Sequence, residues 1–352
     1  MVVKAAAVVL AADIGGTNAR FQVWGVEAGC EPALLFARTY PTAVHPTFES
    51  CLAACLADAA LDGFPNAACF AVAGPVLQDA CKLTNVPWTV AAAPLRLAWS
   101  TTAVRVINDF EAVGYSVTAL RPGELIALND ANPVQQQPIA VLGPGTGLGQ
   151  ALLTWDTGVS GYTVWPSEGA HADFAPIGEE QQALAAFAKA TTGEAEVEKV
   201  CCGDGLTRIY AFYAGPGAAR LHAHEVASNA LDGSCALCVK SVDMFLSILG
   251  AEAANLGLKA LARGGIFIAG GIPPKLMPII LSRGSQGPLQ LAFRRPGCRF
   301  EPVRASMPLN LLTAAEPGLR GALALALREL EKLGRSELSL QTQREDLSFP
   351  RM

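Results

Sequence analysis

Apolar residues fall in short blocks, most of them broken by glycine. Residues 6–14 (Ala-Ala-Val-Val-Leu-Ala-Ala-Asp-Ile) form the first block and read as a buried strand. Gly15-Gly16-Thr17-Asn18 follows as a turn. Residues 19–24 then alternate, with Phe21 and Val23 on one face, which predicts a β-hairpin. Residues 47–61 carry a helical period through Phe48, Cys51, Leu52, Cys55 and Leu56, stopped by Gly63 and Pro65. A short strand at 68–72 ends at Gly74-Pro75. Another at 103–107 leads into Asn108-Asp109 and a helix from Phe110.

The second half uses the same vocabulary. A strand at 139–142 runs into Gly143-Pro144-Gly145-Thr146-Gly147-Leu148-Gly149. Helices are predicted at 179–190, with Gly193 beyond the end, and at 242–262, before Gly264-Gly265. A strand at 266–269 meets Gly270-Gly271, and Pro273-Pro274 suit the first turn of a new helix. A last helix is predicted at 318–333. Residues 334–352 are polar without periodicity, and a mobile tail is expected there. Three strands ending in glycine turns point to an α/β protein with mixed sheets.

Composition narrows this picture. The 352 residues leave room for two domains of roughly 100–200 residues. With 51% apolar and 16% charged residues, the chain can build large cores and is not of the disordered class. The net charge of -5 and the absence of a Lys/Arg cluster give no attraction to nucleic acid. No apolar run approaches the roughly 18 residues of a membrane span. Met1-Val2-Val3-Lys4-Ala5 lacks the features of a signal or transit peptide. Pro350-Arg351-Met352 does not match the peroxisomal address. A cytoplasmic location is expected, with the ten cysteines kept reduced. Cys51 and Cys55 read as core residues. Cys235 and Cys238, near His222 and His224, look like half a zinc site, but their spacings miss the usual finger patterns. They read as two thiols one helical turn apart.

The glycine turns are candidates for phosphate binding, because backbone N–H groups can approach phosphate oxygens where no Cβ intervenes. Neither familiar nucleotide motif is present. No Gly-Lys pair exists to form a P-loop, and the third glycine of a Rossmann pattern would fall on Leu148. Asp13 precedes the first turn. It either bonds the turn backbone or faces phosphate through a hydrated Mg²⁺. Asp109, at a strand-to-helix junction, is either a helix N-cap or a general base for a substrate hydroxyl. Glu168-Gly169-Ala170-His171 sits among prolines and reads as a loop. A carboxylate and an imidazole there suit sugar hydroxyls, which both donate and accept.

Taken in order, these segments resemble the bacterial-type glucokinase family of the hexokinase, actin and Hsp70 superfamily. Ala12-Asp13-Ile14-Gly15-Gly16-Thr17-Asn18-Ala19-Arg20 resembles its first phosphate segment, and Asn108-Asp109-Phe110-Glu111-Ala112 its catalytic segment. Leu142 to Gly149 resembles the second phosphate segment. Glu168 to Pro176 resembles the sugar-binding loop, and Ile268-Ala269-Gly270-Gly271-Ile272 the adenosine segment.

The resemblance implies a two-domain actin-like ATPase (ribonuclease H-like) fold, α/β with mixed sheets around a central cleft. The small domain would hold 1–118 and a returning helix at 316–333, and the large domain 119–315, leaving 334–352 as tail. It implies transfer of the γ-phosphoryl group of ATP to the 6-hydroxyl of D-glucose, the first step of glycolysis. Asn108 and Asp109 would bind the sugar, with Asp109 the base. Glu168, His171 and, on a less distinctive segment, Glu198 would bind hydroxyls near the anomeric end. ATP would lie on Asp13, Gly15, Gly16, Thr17, Asn18, Gly143, Gly145, Thr146, Gly147, Gly270 and Gly271, with Mg²⁺ held by Asp13 through water. A homodimer without nucleic-acid or membrane partners is expected. Ala170 departs from the family, which usually has glycine there. The related kinases of N-acetylated hexosamines carry a cysteine-rich zinc motif soon after the histidine, but no cysteine lies between Cys81 and Cys201 here.

Overall fold

A computed structural model describes residues 7–347 except Asp62 and Thr84. The extreme N-terminal residues and the terminal tripeptide, from which location was read, lie outside the described residues. The chain divides into two compact units, Met1–Ala119 with Ala315–Met352, and Leu120–Ala314.

In the first unit, β1 (Ala7–Ile14), β2 (Asn18–Val26) and β3 (Ala33–Pro41) form an antiparallel ribbon. Helix α1 (Phe48–Asp58) follows, with Thr47 and Ser50 making a reciprocal capping box at its start. Strand β4 (Ala67–Val72) is wholly buried. A small hairpin of β5 (Ala80–Lys82) and β6 (Thr89–Ala91) leads to α2 (Ala92–Trp99), β7 (Val104–Asn108) and α3 (Asp109–Ser116). The sheet order is β3-β2-β1-β4-β7, with β4 parallel to both β1 and β7. Leu10, Phe21, Phe48, Phe70 and Trp88 lead the core on one face. Asp79 bridges Arg96 at 2.6 Å and Arg105 at 2.9 Å, tying the β5 hairpin to α2 and β7.

The second unit repeats the plan. Strands β8 (Leu125–Ala127), β9 (Ile139–Pro144), β10 (Leu148–Asp156) and β11 (Gly161–Ser167) precede helices α4 (Gly178–Thr192), α5 (Gly203–Ala214), α6 (Ala223–Leu231) and α7 (Ala236–Ala260). Then come β12 (Gly265–Ile268), α8 (Pro273–Arg283), α9 (Pro288–Arg294), α10 (Glu301–Ala305) and β13 (Leu309–Leu312). The sheet runs β11-β10-β9-β12-β13-β8, with β9, β12 and β13 parallel. Helix α7 is the centre of the core, burying Phe245, Leu249 and Ala253 among fifteen residues. No single helix among the described residues is long and apolar enough to cross a membrane.

The chain rejoins the first unit as α11 (Pro317–Leu347), which packs on α3, β1 and β4. Leu319, Ala322, Leu325 and Ala326 are its buried stripe, at the spacing of one helical face. The sequence reading ends this helix at 333 and expects a tail. Instead the helix continues past Gly334 to Leu347. Residues 335–347 hold neither glycine nor proline and are rich in Arg, Glu, Gln and Leu, so backbone propensity sustains the helix without an apolar period.

Candidate active site

Register decides which residues share an edge. Ile14 pairs with Val72, and Val72 with Asn108. The carboxyl ends of β1, β4 and β7 are therefore level, and Asp13 and Asp109 emerge at the same end of one parallel array. That is where open α/β sheets bind ligands.

The first glycine turn is closed by Gly15 N–H donating to the Asn18 carbonyl at 2.9 Å. Thr42, just after β3, clamps it: its N–H donates to the Thr17 carbonyl at 2.9 Å and its hydroxyl to the Gly16 carbonyl at 2.8 Å. Sequence reasoning missed Thr42, since nothing local marks it. A Cβ on Gly16 would stand 2.7 Å from that of Asn85, so only glycine fits there. Asp13 meets Arg20 at 3.0 Å. Burial raises the Asp13 carboxyl above its ordinary range, against the lowering effect of Arg20.

The sequence left Asp109 as cap or base, and the structure gives the cap to Asn108. Its Oδ1 accepts from Phe110 N–H at 2.8 Å and Glu111 N–H at 3.3 Å, while Nδ2 donates to the Gly74 carbonyl at 3.1 Å. The Asn108 amide also hydrogen-bonds the Asp109 carboxylate. Asp109 is the first helical residue, and its Oδ1 also accepts from Phe110 N–H at 2.8 Å. Its location in the first turn of a helix favours the anion, but burial is the larger effect. With the charge of Asp13 it raises the Asp109 carboxyl despite the bond from Phe110. Burial also pushes its neighbour Glu111 up to about 7.

In the second unit, Leu142 pairs with Ile268, so the glycine turns after β9 and β12 are adjacent. Gly270 has φ +86°, and a Cβ there would run into the Pro144 carbonyl. Ile272 N–H donates to that same oxygen at 3.2 Å. The turn after β9 is closed by Gly145 N–H to the Gly147 carbonyl at 2.7 Å, and the Gly145 carbonyl receives Gly203 N–H at 2.9 Å. The structure thus brings Gly143, Gly145, Thr146, Gly147, Gly270 and Gly271 into one neighbourhood.

Glu168 and His171 flank the 3-10 turn Gly169–His171. A Cβ on Gly169 would lie 2.5 Å from Gln150 Oε1, and Gln150 is anchored to buried Glu252 at 2.8 Å. Ala170, the departure from the family pattern, is buried. Glu168 is exposed and lies 4.0 Å from His171 Nε2. Glu198 Oε2 accepts Leu148 N–H at 2.9 Å, which fastens this carboxylate to the glycine turn after β9. The hydrogen bond to Glu196, helped by surrounding carboxylates, raises the His171 imidazole above its ordinary range.

Among the described residues no group of three or more His, Cys, Asp or Glu could hold a metal. Cys235 instead caps α7, its Sγ accepting Cys238 N–H at 3.4 Å. Asp13 is partly exposed and paired with Arg20, and a single such carboxylate fits Mg²⁺, which keeps several waters and binds through one or two carboxylates plus phosphate oxygens.

The glucokinase family model matches residues 10–329. A glucokinase from Nostoc sp. is 33% identical over 350 residues, covering 91% of this chain and 98% of the relative. Among solved structures, a glucokinase from an Antarctic psychrotroph superposes with a TM-score of 0.80 at 30% identity, covering 91% of this chain and 98% of that one. A Balamuthia mandrillaris glucokinase in complex with glucose gives 0.75 at 22% identity, covering 92% and 95%.

Proposed function

The chain belongs to the glucokinase family, has the actin-like ATPase fold, and on that premise we propose how its residues carry the γ-phosphoryl group of ATP to the 6-hydroxyl of D-glucose. The observation that carries the assignment of roles is Asp109, a partly buried carboxylate at the carboxyl edge of a parallel sheet, one residue after the amide that caps its helix. Phosphoryl transfer through a loose transition state is mostly positioning and charge stabilisation, and the hydroxyl proton leaves late. Asp109 therefore orients the 6-hydroxyl and accepts its proton without being a strong base. Its raised affinity for protons suits that task.

Asn108 binds a neighbouring sugar hydroxyl. Glu168, His171 and Glu198 take the hydroxyls near the anomeric end. The glycine turns at 15–18 and 143–147 receive the ATP phosphates, and Gly270-Gly271 the adenosine. Asp13 would hold Mg²⁺ through water, and the ion would supply neutralisation of phosphate charge. The same reading places a homodimer in the cytoplasm, to be checked by light scattering and cell fractionation. A coupled assay with a panel of sugars and phosphoryl donors tests the whole. ATP-dependent formation of glucose 6-phosphate, lost in Asp109→Ala with nucleotide binding retained, is expected. Near-normal turnover in that variant would end the role of Asp109.

A further inference from the structure

His171 is held from behind by a residue that the sugar-site reading does not include. Its Nδ1 lies 3.0 Å from Glu196 Oε2. Backbone pairing enforces the contact: Phe174 N–H donates to the Ala195 carbonyl at 2.7 Å, and Val197 N–H to the Ala172 carbonyl at 3.0 Å. Asp173 and Glu196 form an isolated antiparallel bridge. The strip after His171 is thus laced to the strip before Glu198. Glu196 is mostly covered, with 17% of its side chain exposed against 49% for His171. Lys199 Nζ stands 3.5 Å from the same Glu196 oxygen and also reaches Glu194 at 3.6 Å. The hydrogen bond from His171, followed by the charge of Lys199, keeps the Glu196 carboxyl below its ordinary range.

We propose that Glu196 is the positioning residue of the sugar loop, fixing the His171 ring through Nδ1 so that Nε2 is presented to a sugar hydroxyl beside Glu168. The inference rests on the reading of His171 as a sugar ligand. The chemistry follows from the two ring nitrogens. With Nδ1–H given to Glu196, the neutral ring leaves Nε2 as an acceptor, and the protonated ring makes it a donor. Glu168, on the same loop, offers only acceptors when ionised. The imidazolium and Glu168 together therefore complement a hydroxyl that must both accept and donate. The charged groups around His171 are Glu168 on its own loop, Glu196 on the paired strip and Glu198 on the following turn, with Lys199 reaching it through Glu196. Three carboxylates against one lysine favour the imidazolium.

The test uses Glu196→Gln and Glu196→Asp in the full-length protein. In the sugar-free state, ¹⁵N-histidine spectra should place the wild-type proton of neutral His171 on Nδ1, and Glu196→Gln should lower the titration midpoint. In steady state, Glu196→Gln should raise the glucose KM about tenfold at neutral pH, as for loss of a charge-assisted hydrogen bond. It should change kcat less than about twofold, because the bond is made before and during transfer alike. Glu196→Asp should recover part of the loss. In the wild type, the glucose KM should rise as pH passes the His171 midpoint. An unmoved midpoint in Glu196→Gln, a kcat loss as large as the KM change, or a wild-type KM flat across the midpoint would each overturn the proposal. Absence of glucose phosphorylation by the wild type would instead defeat the functional reading, while the spectra would still report whether Glu196 holds His171.

Discussion

Glu198 fills the place that a side chain at position 147 would need. Its Oε2 stands 2.5 Å from the point where a Cβ on Gly147 would lie, and it accepts the N–H of the next residue, Leu148. A carboxylate assigned to the sugar is therefore packed against a turn assigned to phosphate. Gly147→Ala should disturb both, raising KM for glucose and for ATP together, each on the order of tenfold. Gly147 is not in the left-handed region, so backbone strain is not a competing cause. A change confined to one substrate would separate the two roles.

Asp109→Asn keeps the shape of the side chain and removes the base. kcat should fall about 10²–10⁴-fold, the usual range for general base catalysis. The ATP affinity of the sugar-free protein, read by calorimetry, should stay within a factor of about two. Because burial and Asp13 raise the carboxyl, the acid limb of kcat/KM in the wild type should lie above the ordinary aspartate range. A limb at or below that range would contradict the placement.

Glu111 supplies a stability test with a defined sign. Burial lifts its carboxyl from 4.5 to about 7 in the folded state, so between those values the folded chain holds more protons than the unfolded one. Stability from this group is full below 4.5 and declines as pH rises through about 7. Glu111→Gln should therefore raise Tm at pH 8 by on the order of a few °C and leave it unchanged near pH 4. Equal effects at both values would show that Glu111 is not desolvated.

Gly321 sits inside α11, where replacing an exposed glycine by alanine gains about 1 kcal/mol in helix propensity. Here a Cβ would collide with the Ala112 carbonyl and approach Ser116 N within 3.0 Å, both in α3. Those are backbone atoms and cannot step aside. Overpacking of roughly 1–3 kcal/mol or more should win. Gly321→Ala should lower the denaturant midpoint and, by shifting α3, also reduce kcat.

Strands ending in glycine turns were legible because a buried strand is a short all-apolar run and its exit needs a special backbone. The candidate sites were read from those same turns. Strand β3 was not, since it is an edge strand with most of its residues exposed. Helix α5 was hidden by Gly203 and Gly205. The second of these is required because a Cβ there would strike the Val200 backbone, a constraint visible only in three dimensions. Helix α7 begins at Ala236, ahead of the predicted 242, because a thiol, Cys235, does the capping that hydroxyls and carboxylates usually do. Thr42 and Glu196 act through partners far along the chain, so neither periodicity nor spacing marks them.

The unit that holds Asp109 is drawn from both ends of the chain, whereas residues 120–314 are continuous. Synthesis from the amino terminus therefore delivers β1, β4, β7 and the segment of α3 long before the helix that packs on them. That apolar face must wait, unpartnered, while nearly two hundred residues are added and have the chance to fold. The helix that packs on β1, β4 and α3 is made only after all of residues 120–314, so the first unit stays unfinished until that helix arrives.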